Sequence, residues 1–215
     1  NGTEHSAVLR SNNTSFTIPE QVTNGELAVS YWRMGTIHIL EGFDHLLFLL
    51  TLLLIVTGIW PLLKTVTAFT LAHSLTLALA TLDLVRIPQV PTEGVISLSI
   101  MLLAVEVVRK NQGDLTLSER FPWLIAFTFG LVHGLGFAGA LYEIGVPQHA
   151  VPLSLLMFNV GVETGQIIFV LTVSLILAGL SRLHGHTALT LVRATPYAIG
   201  GVAAFWTIDR VSSFL

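Results

Sequence analysis

Apolar runs long enough to cross a membrane recur along most of this chain, and they constrain its fold more than any other feature. An α-helix needs about 20 predominantly apolar residues to span the hydrocarbon core of a bilayer. The composition agrees, because 53% of the residues are hydrophobic and 11% are charged, whereas soluble domains carry about 25% charged residues. The sequence therefore predicts an all-α, polytopic membrane protein that has the lipid bilayer as a partner.

The hydrophobic segments predict a bundle of about six transmembrane helices. Polar residues 1–30 would form an extracytoplasmic tail or the stub of a domain, and residues 31–215 would form the transmembrane helical domain. Because the chain begins with Asn1 rather than methionine, we expect that it lacks a signal sequence or a larger N-terminal region. The predicted spans cover roughly 31–60, 62–83, 92–109, 121–142, 152–180 and 188–208.

The positions of the lysines and arginines predict the orientation of these spans. Cytoplasmic loops of membrane proteins are enriched in both residue types. The side with more of them would hold the 109–120 loop, so we expect this loop in the cytoplasm and the N-terminus outside. The expected location is the inner (cytoplasmic) membrane of a bacterium. The residues that would share the cytoplasmic side are Lys64, Arg109, Lys110, Arg120, Arg182 and Arg193.

The residue types also exclude several kinds of site. The chain has no cysteine, which excludes disulfides, thiolate metal sites and cysteine nucleophiles. It has three methionines, too few to favour a copper(I) site. The formal net charge of −3 indicates no nucleic-acid partner.

The first predicted span carries an unusual number of ionisable residues. His38, Glu41 and His45 are spaced i, i+3 and i+7, which would place them on one face of a continuous helix. Asp44 would point away from His45, toward another neighbour. Gly42 either lets another backbone approach closely or marks a local break in the helix.

Three later spans carry further polar side chains. His73 lies between Thr70 and Thr76, and His133 lies among glycines. Asn159, Glu163 and Gln166 are spaced i, i+4 and i+7, which would give a single polar face. Four of the ionisable residues lie at a similar predicted depth: His45, His73, His133 and Glu163. Counted from the predicted ends of its span, each lies about 17 Å into its helix, near the middle of a hydrocarbon core about 30 Å thick.

Three imidazoles and a carboxylate at one depth suit a divalent cation such as nickel, zinc or cobalt. His38 and Glu41 would lie nearer the outside, as an outer binding pair, and Asp44 would orient an imidazole. Glu93 would lie either at the membrane interface or on the access route, and Asn159 and Gln166 would be interhelical hydrogen-bonding groups or supports of the ligands. The alternatives are a polar network without metal and a haem held by two histidines.

Five blocks of the sequence, which cover roughly 31–180, follow one another in order: GTIHILEGFDHLLFLLTLLL, TAFTLAHSLTLALA, EGVISLSI, FTFGLVHGLGFAGAL and FNVGVETGQ. Together they resemble the HupE/UreJ family, in its branch with a long extracytoplasmic N-terminal region. The resemblance implies an integral membrane protein that supplies metal, nickel above all, and that works beside metalloenzyme maturation proteins. The family signature of a histidine, five residues, then aspartate and histidine maps onto His38, Asp44 and His45, which implies that these three engage the metal.

The second signature of the hydrogenase-associated members is not fully present. That signature reads Phe-His-Gly-x-Ala-x-Gly-x-Glu, and the nearest stretch here is VHGLGFAGA. His133 and Gly134 match it, whereas Val132 stands in the place of the phenylalanine and Ala140 in the place of the glutamate. Glu163, on the next helix, would substitute for the missing carboxylate.

Two main functions are open from the sequence. The resemblance favours a permease or supply protein for divalent metal, with nickel preferred and cobalt or zinc as alternatives. The same residues would also suit an intramembrane zinc-dependent hydrolase, because three histidines with one open position describe a catalytic zinc site. In that case Glu163 or Asp44 would be the general base, so whether the protein is an enzyme stays open at this point.

Overall fold

The computed structural model describes the backbone of residues 23–144, 150–183 and 185–214, and their side chains apart from 137–144 and 183–189. Every regular element in these ranges is an α-helix, which confirms the all-α prediction. Most of the predicted tail lies outside the described residues, so its form and its boundary at residue 30 stay predictions. The helices are α1 (Asn24–Glu41), α2 (Phe43–Ile55), α3 (Ile59–Thr81), α4 (Gln89–Gln112), α5 (Leu117–Arg120), α6 (Pro122–Ile144), α7 (Val151–Leu183) and α8 (Gly185–Ser212).

Length and hydropathy identify the protein as an all-α membrane protein. Among the described residues, α3, α4 and α7 are each long and apolar enough to cross a bilayer. The consecutive helices α1 and α2 pass the same test when they are taken together. Helices cover all six predicted spans, but these criteria support three or four crossings, and the number six stays a prediction.

The first span is not the single helix that the sequence predicted. Helix α1 ends at Glu41, α2 begins at Phe43, and the two are bent by 72° relative to each other. The helical hydrogen bonds continue up to the break, because the Gly42 N–H donates to the His38 carbonyl and the Gly42 carbonyl accepts from Leu46. A Cβ atom on Gly42 would meet the His38 carbonyl and the His45 ring. Of the two roles open for Gly42, a local break is the one found.

Two pairs of parallel helices pack closely enough to require glycine. Gly130 and Gly134 on α6 lie against the backbone of α3, where an added Cβ would collide with the carbonyls of Phe69 and His73. Glycines on α1 and α7 make the equivalent contact between those two helices. Small residues are the usual means by which membrane helices approach each other, and here they bring the polar side chains of neighbouring helices together.

Helix α4 joins the other elements at both of its ends. Near its start, the Glu93 carboxylate lies 3.5 Å from the Arg210 guanidinium of α8. Near its other end, the Lys110 ammonium donates to the Ile55 carbonyl at 2.6 Å and lies 3.8 Å from the Glu119 carboxylate. The last carbonyls of a helix have no partner within it, so Lys110 caps the C-terminal end of α2.

Candidate metal centre

Three histidines from three helices form a compact group. His38 lies in the last turn of α1, His45 in the first turn of α2, and His73 within α3. One ring nitrogen from each lies within 4.8 Å of the other two. Two nitrogen ligands of a tetrahedral ion with bonds of about 2.1 Å lie roughly 3.4 Å apart. Small side-chain rotations would therefore close this histidine triad around one cation.

The break at Gly42 brings His38 into the triad. In a continuous helix, two residues seven positions apart are separated by about 10 Å along the axis. With the helix bent, the ring centroids of His38 and His45 lie 4.6 Å apart, and those of His38 and His73 lie 6.2 Å apart. The prediction that His38 sits in a separate outer pair is therefore wrong, because the spacing argument assumed an unbroken helix.

Asp44 holds the His45 ring from the side. Its Oδ1 atom lies 3.0 Å from His45 Nδ1 and accepts the backbone N–H of His45 at 2.9 Å. The expectation that Asp44 points away from His45 is wrong, since Asp44 lies in the first turn of α2 and folds back onto free N–H groups there. A carboxylate on one ring nitrogen fixes the tautomer and leaves the other nitrogen available as a ligand. That geometry suits the predicted orienting role.

The rings of His45 and His73 are buried with fewer hydrogen bonds than burial normally requires. His73 is 0% exposed and His45 is 7% exposed. Among the described residues, the Nε2 of His45 has no hydrogen-bond partner, and the hydrogen-bond partner of the His73 ring is the Asn159 side chain. Buried polar atoms without partners are costly. Ligation of a divalent cation would satisfy them, so the donor set fits a metal.

His133 lies beside the triad and not within it. Its ring centroid is 5.4 Å from that of His45, and the residue is 1% exposed. Its Nε2 lies 3.5 Å from the Ser99 hydroxyl of α4, a contact that nothing in the sequence around Ser99 marked. The sequence predicted His45, His73 and His133 as the inner ligands, whereas the compact group contains His38 in place of His133.

Glu163 and Gln166 of α7 bond to α3, whereas Asn159 of the same helix approaches the His73 side chain of the triad. Glu163 Oε1 accepts a hydrogen bond from Thr67 at 2.6 Å, and Gln166 accepts one from Thr70 at 2.8 Å. The second oxygen of Glu163 is buried without a hydrogen-bond partner among the described residues. Asn159 donates to the Leu155 carbonyl of its own helix at 2.8 Å. A ligand role for Glu163 therefore stays a prediction, as does a supporting role for Asn159 and Gln166.

The two remaining predicted carboxylates are not members of the histidine triad. Glu93 pairs with Arg210 at 3.5 Å and accepts a hydrogen bond from Gln89 at 2.9 Å. Glu41 is exposed at the end of α1. Neither belongs to the compact group, and a place for them on the route to it stays a prediction. Ala140, which departs from the second family signature, lies outside the described side chains.

Comparison with known proteins assigns the family. The family model described as HupE / UreJ protein matches residues 12–210, which is nearly the whole chain. Neither the search of curated proteins nor the search of solved structures found a match. The match includes every helix that carries a histidine of the candidate centre, and the chain belongs to the HupE/UreJ family.

Proposed function

We propose that this protein is a divalent-metal permease whose cargo binds at His38, His45 and His73. The observation that carries the proposal is the convergence of three imidazoles at the break of a membrane helix. Broken helices in transporters form ion-binding sites because their ends expose backbone groups that a continuous helix would satisfy. Imidazole ligands suit nickel, zinc and cobalt, and the HupE/UreJ resemblance favours nickel.

The charges around the triad suit a site that binds a cation and releases it again. His38 lies in the last turn of α1, where the helix dipole leaves a partial negative charge. Asp44 adds one formal negative charge beside His45. The Asp44 carboxylate together with three imidazoles would give moderate attraction, and conduction requires a site that is not too tight.

The proposal includes access of the cation to the triad from the side of Asp44. The Asp44 side chain is 22% exposed, whereas His73, deeper in the bundle, is 0% exposed. A cation would therefore meet the carboxylate first and the buried imidazoles afterwards. With the N-terminus outside the inner membrane, the metal would enter the cytoplasm. The partners of the permease would then be the maturation proteins that deliver this metal to metalloenzymes.

A zinc-dependent intramembrane hydrolase is the second candidate, and a specific observation favours it. Three histidines with an open fourth position are the ligand set of many catalytic zinc ions. Glu163, with one carboxylate oxygen left unbonded among the described residues, would be the general base. Asp44 suits that role less, because its Oδ1 is engaged by His45.

Metal flux separates the two candidates. Purified protein is placed in liposomes that contain a nickel- or zinc-sensitive dye, and the initial rate of dye response to external metal is recorded. The permease requires wild-type flux well above that of empty liposomes and its loss in His73→Ala. Thr65→Val is the matched control, because it removes a buried hydroxyl of the same helix that donates to the Pro61 carbonyl of that helix. Stoichiometric bound metal without flux would favour the hydrolase.

A further inference from the structure

A layer of aromatic rings lies directly against one side of the histidines. His45, His73 and His133 each have a phenylalanine one helical turn away, at +3 on α2 and at −4 on α3 and α6. Because α2 runs opposite to the other two helices, these offsets place all three rings on the same side. The phenylalanine layer consists of Phe48, Phe69 and Phe129.

The members of this layer are in contact with each other and with the histidines. The ring centroids of Phe48 and Phe69 lie 4.9 Å apart, and those of Phe48 and Phe129 lie 6.1 Å apart. The His133 ring lies 5.2 Å from Phe48 and 5.1 Å from Phe69. Phe48 and Phe69 are each 1% exposed and Phe129 is partly buried, so packed aromatic rings cover this side of the histidines.

The apolar region continues beyond the phenylalanines. One turn farther along the same helices lie Leu52, Val66 and Ala126, which are 0%, 1% and 0% exposed. The opposite side of the histidines differs, because there Asp44 is partly exposed and Glu41 is exposed. Along α2, α3 and α6, a cation in the triad therefore has polar groups on one side and two apolar layers on the other.

We infer that the phenylalanine layer is the barrier that the cargo must pass after it leaves the histidine triad. The inference rests on the proposed permease and assigns residues to its translocation step. A cation cannot cross a water-free constriction without losing its hydration, and hydrophobic constrictions gate channels for that reason. The predicted orientation places the barrier on the cytoplasmic side of the triad.

Hydrogen bonds on the same side fasten α3, which carries Phe69, to α7. Thr67 donates to Glu163 at 2.6 Å and Thr70 donates to Gln166 at 2.8 Å. Displacement of Phe69 by a movement of α3 would strain both bonds. The same pairs also form a polar strip beside the phenylalanines, which is the competing route for the cargo.

The test measures dye-reported nickel influx and bound nickel for the full chain in liposomes. Phe69→Ala opens the constriction and leaves the triad intact. We expect the initial rate of nickel influx to rise about tenfold, because a modest lowering of the barrier changes the rate by that factor. The amount of bound nickel should stay unchanged. Phe69→Leu, a milder change that keeps the site apolar, should give an intermediate rise. Leu77→Ala is the matched control: Leu77 is buried one turn beyond His73 on the other side, and its loss should not raise influx.

Each other outcome has a definite meaning. Wild-type influx with no rise in either Phe69 variant would overturn the barrier and leave the permease standing. If influx then falls in Glu163→Gln, the cargo follows the polar strip between α3 and α7. No influx from the wild type or from any variant, with nickel still bound, would overturn the permease and the barrier together.

Discussion

Removal of the Asp44 carboxylate should weaken metal binding without abolishing it. In the structure, Asp44 Oδ1 lies 3.0 Å from His45 Nδ1, which leaves the Nε2 of the same ring available to a cation. Loss of a group that orients a ligand costs about 10- to 100-fold in metal affinity, or about 1.4–2.7 kcal/mol. We therefore expect Asp44→Ala to raise the Kd for nickel or zinc by that factor.

Two further variants make this prediction specific. Asp44→Asn keeps an oxygen that can accept from His45 and loses only the charge, so its Kd should rise less than that of Asp44→Ala. Asp83→Asn is the control, because Asp83 is an exposed carboxylate that pairs with Arg86 just beyond the C-terminal end of α3. Affinity is measured by competition with a metal-sensitive dye on detergent-solubilised protein. A Kd for Asp44→Ala within about twofold of the wild type would refute the orienting role.

Three further outcomes follow from the packing and from the site. Lys110→Met leaves the Ile55 carbonyl without its charged donor. A hydrogen bond to a charged group contributes about 1.5–3 kcal/mol to stability, so the Tm of the protein in detergent should fall while its metal affinity stays the same. Gly134→Val places a side chain against the His73 carbonyl and should lower both the Tm and the affinity, because α3 and α6 must separate. Removal of metal with a chelator should lower the Tm of the wild type and not that of His73→Ala, since a ligand at 100 times its Kd stabilises the native state by about 2.7 kcal/mol.

The sequence was sufficient for the helices and for part of the site. The apolar runs predicted helices at six places, and the boundaries of five of them agree with the structure to within a few residues. The depth argument predicted that His45 and His73 meet, and their rings lie in one compact group. These inferences succeeded because they use position along the helix axis, which the number of residues sets directly.

Helix breaks and side-chain directions were harder to predict. Gly42 was an ambiguous signal, because glycine is frequent in membrane helices and usually serves close packing there. The break moved His38 into the triad and turned Asp44 toward His45. The direction of His133 depends on how α6 is rotated about its axis, and a helix that is apolar all round gives little periodicity from which to read that rotation.

X-ray absorption of the bound metal is the most direct test of the histidine triad. The account predicts three imidazole ligands on nickel or zinc in the wild type, with bonds of about 2.0–2.1 Å for zinc. His38→Ala should reduce the imidazole count by one and weaken binding, whereas His133→Ala should leave the count unchanged. An unchanged spectrum in His38→Ala together with a lost ligand in His133→Ala would contradict the account and restore the ligand set predicted from an unbroken first helix.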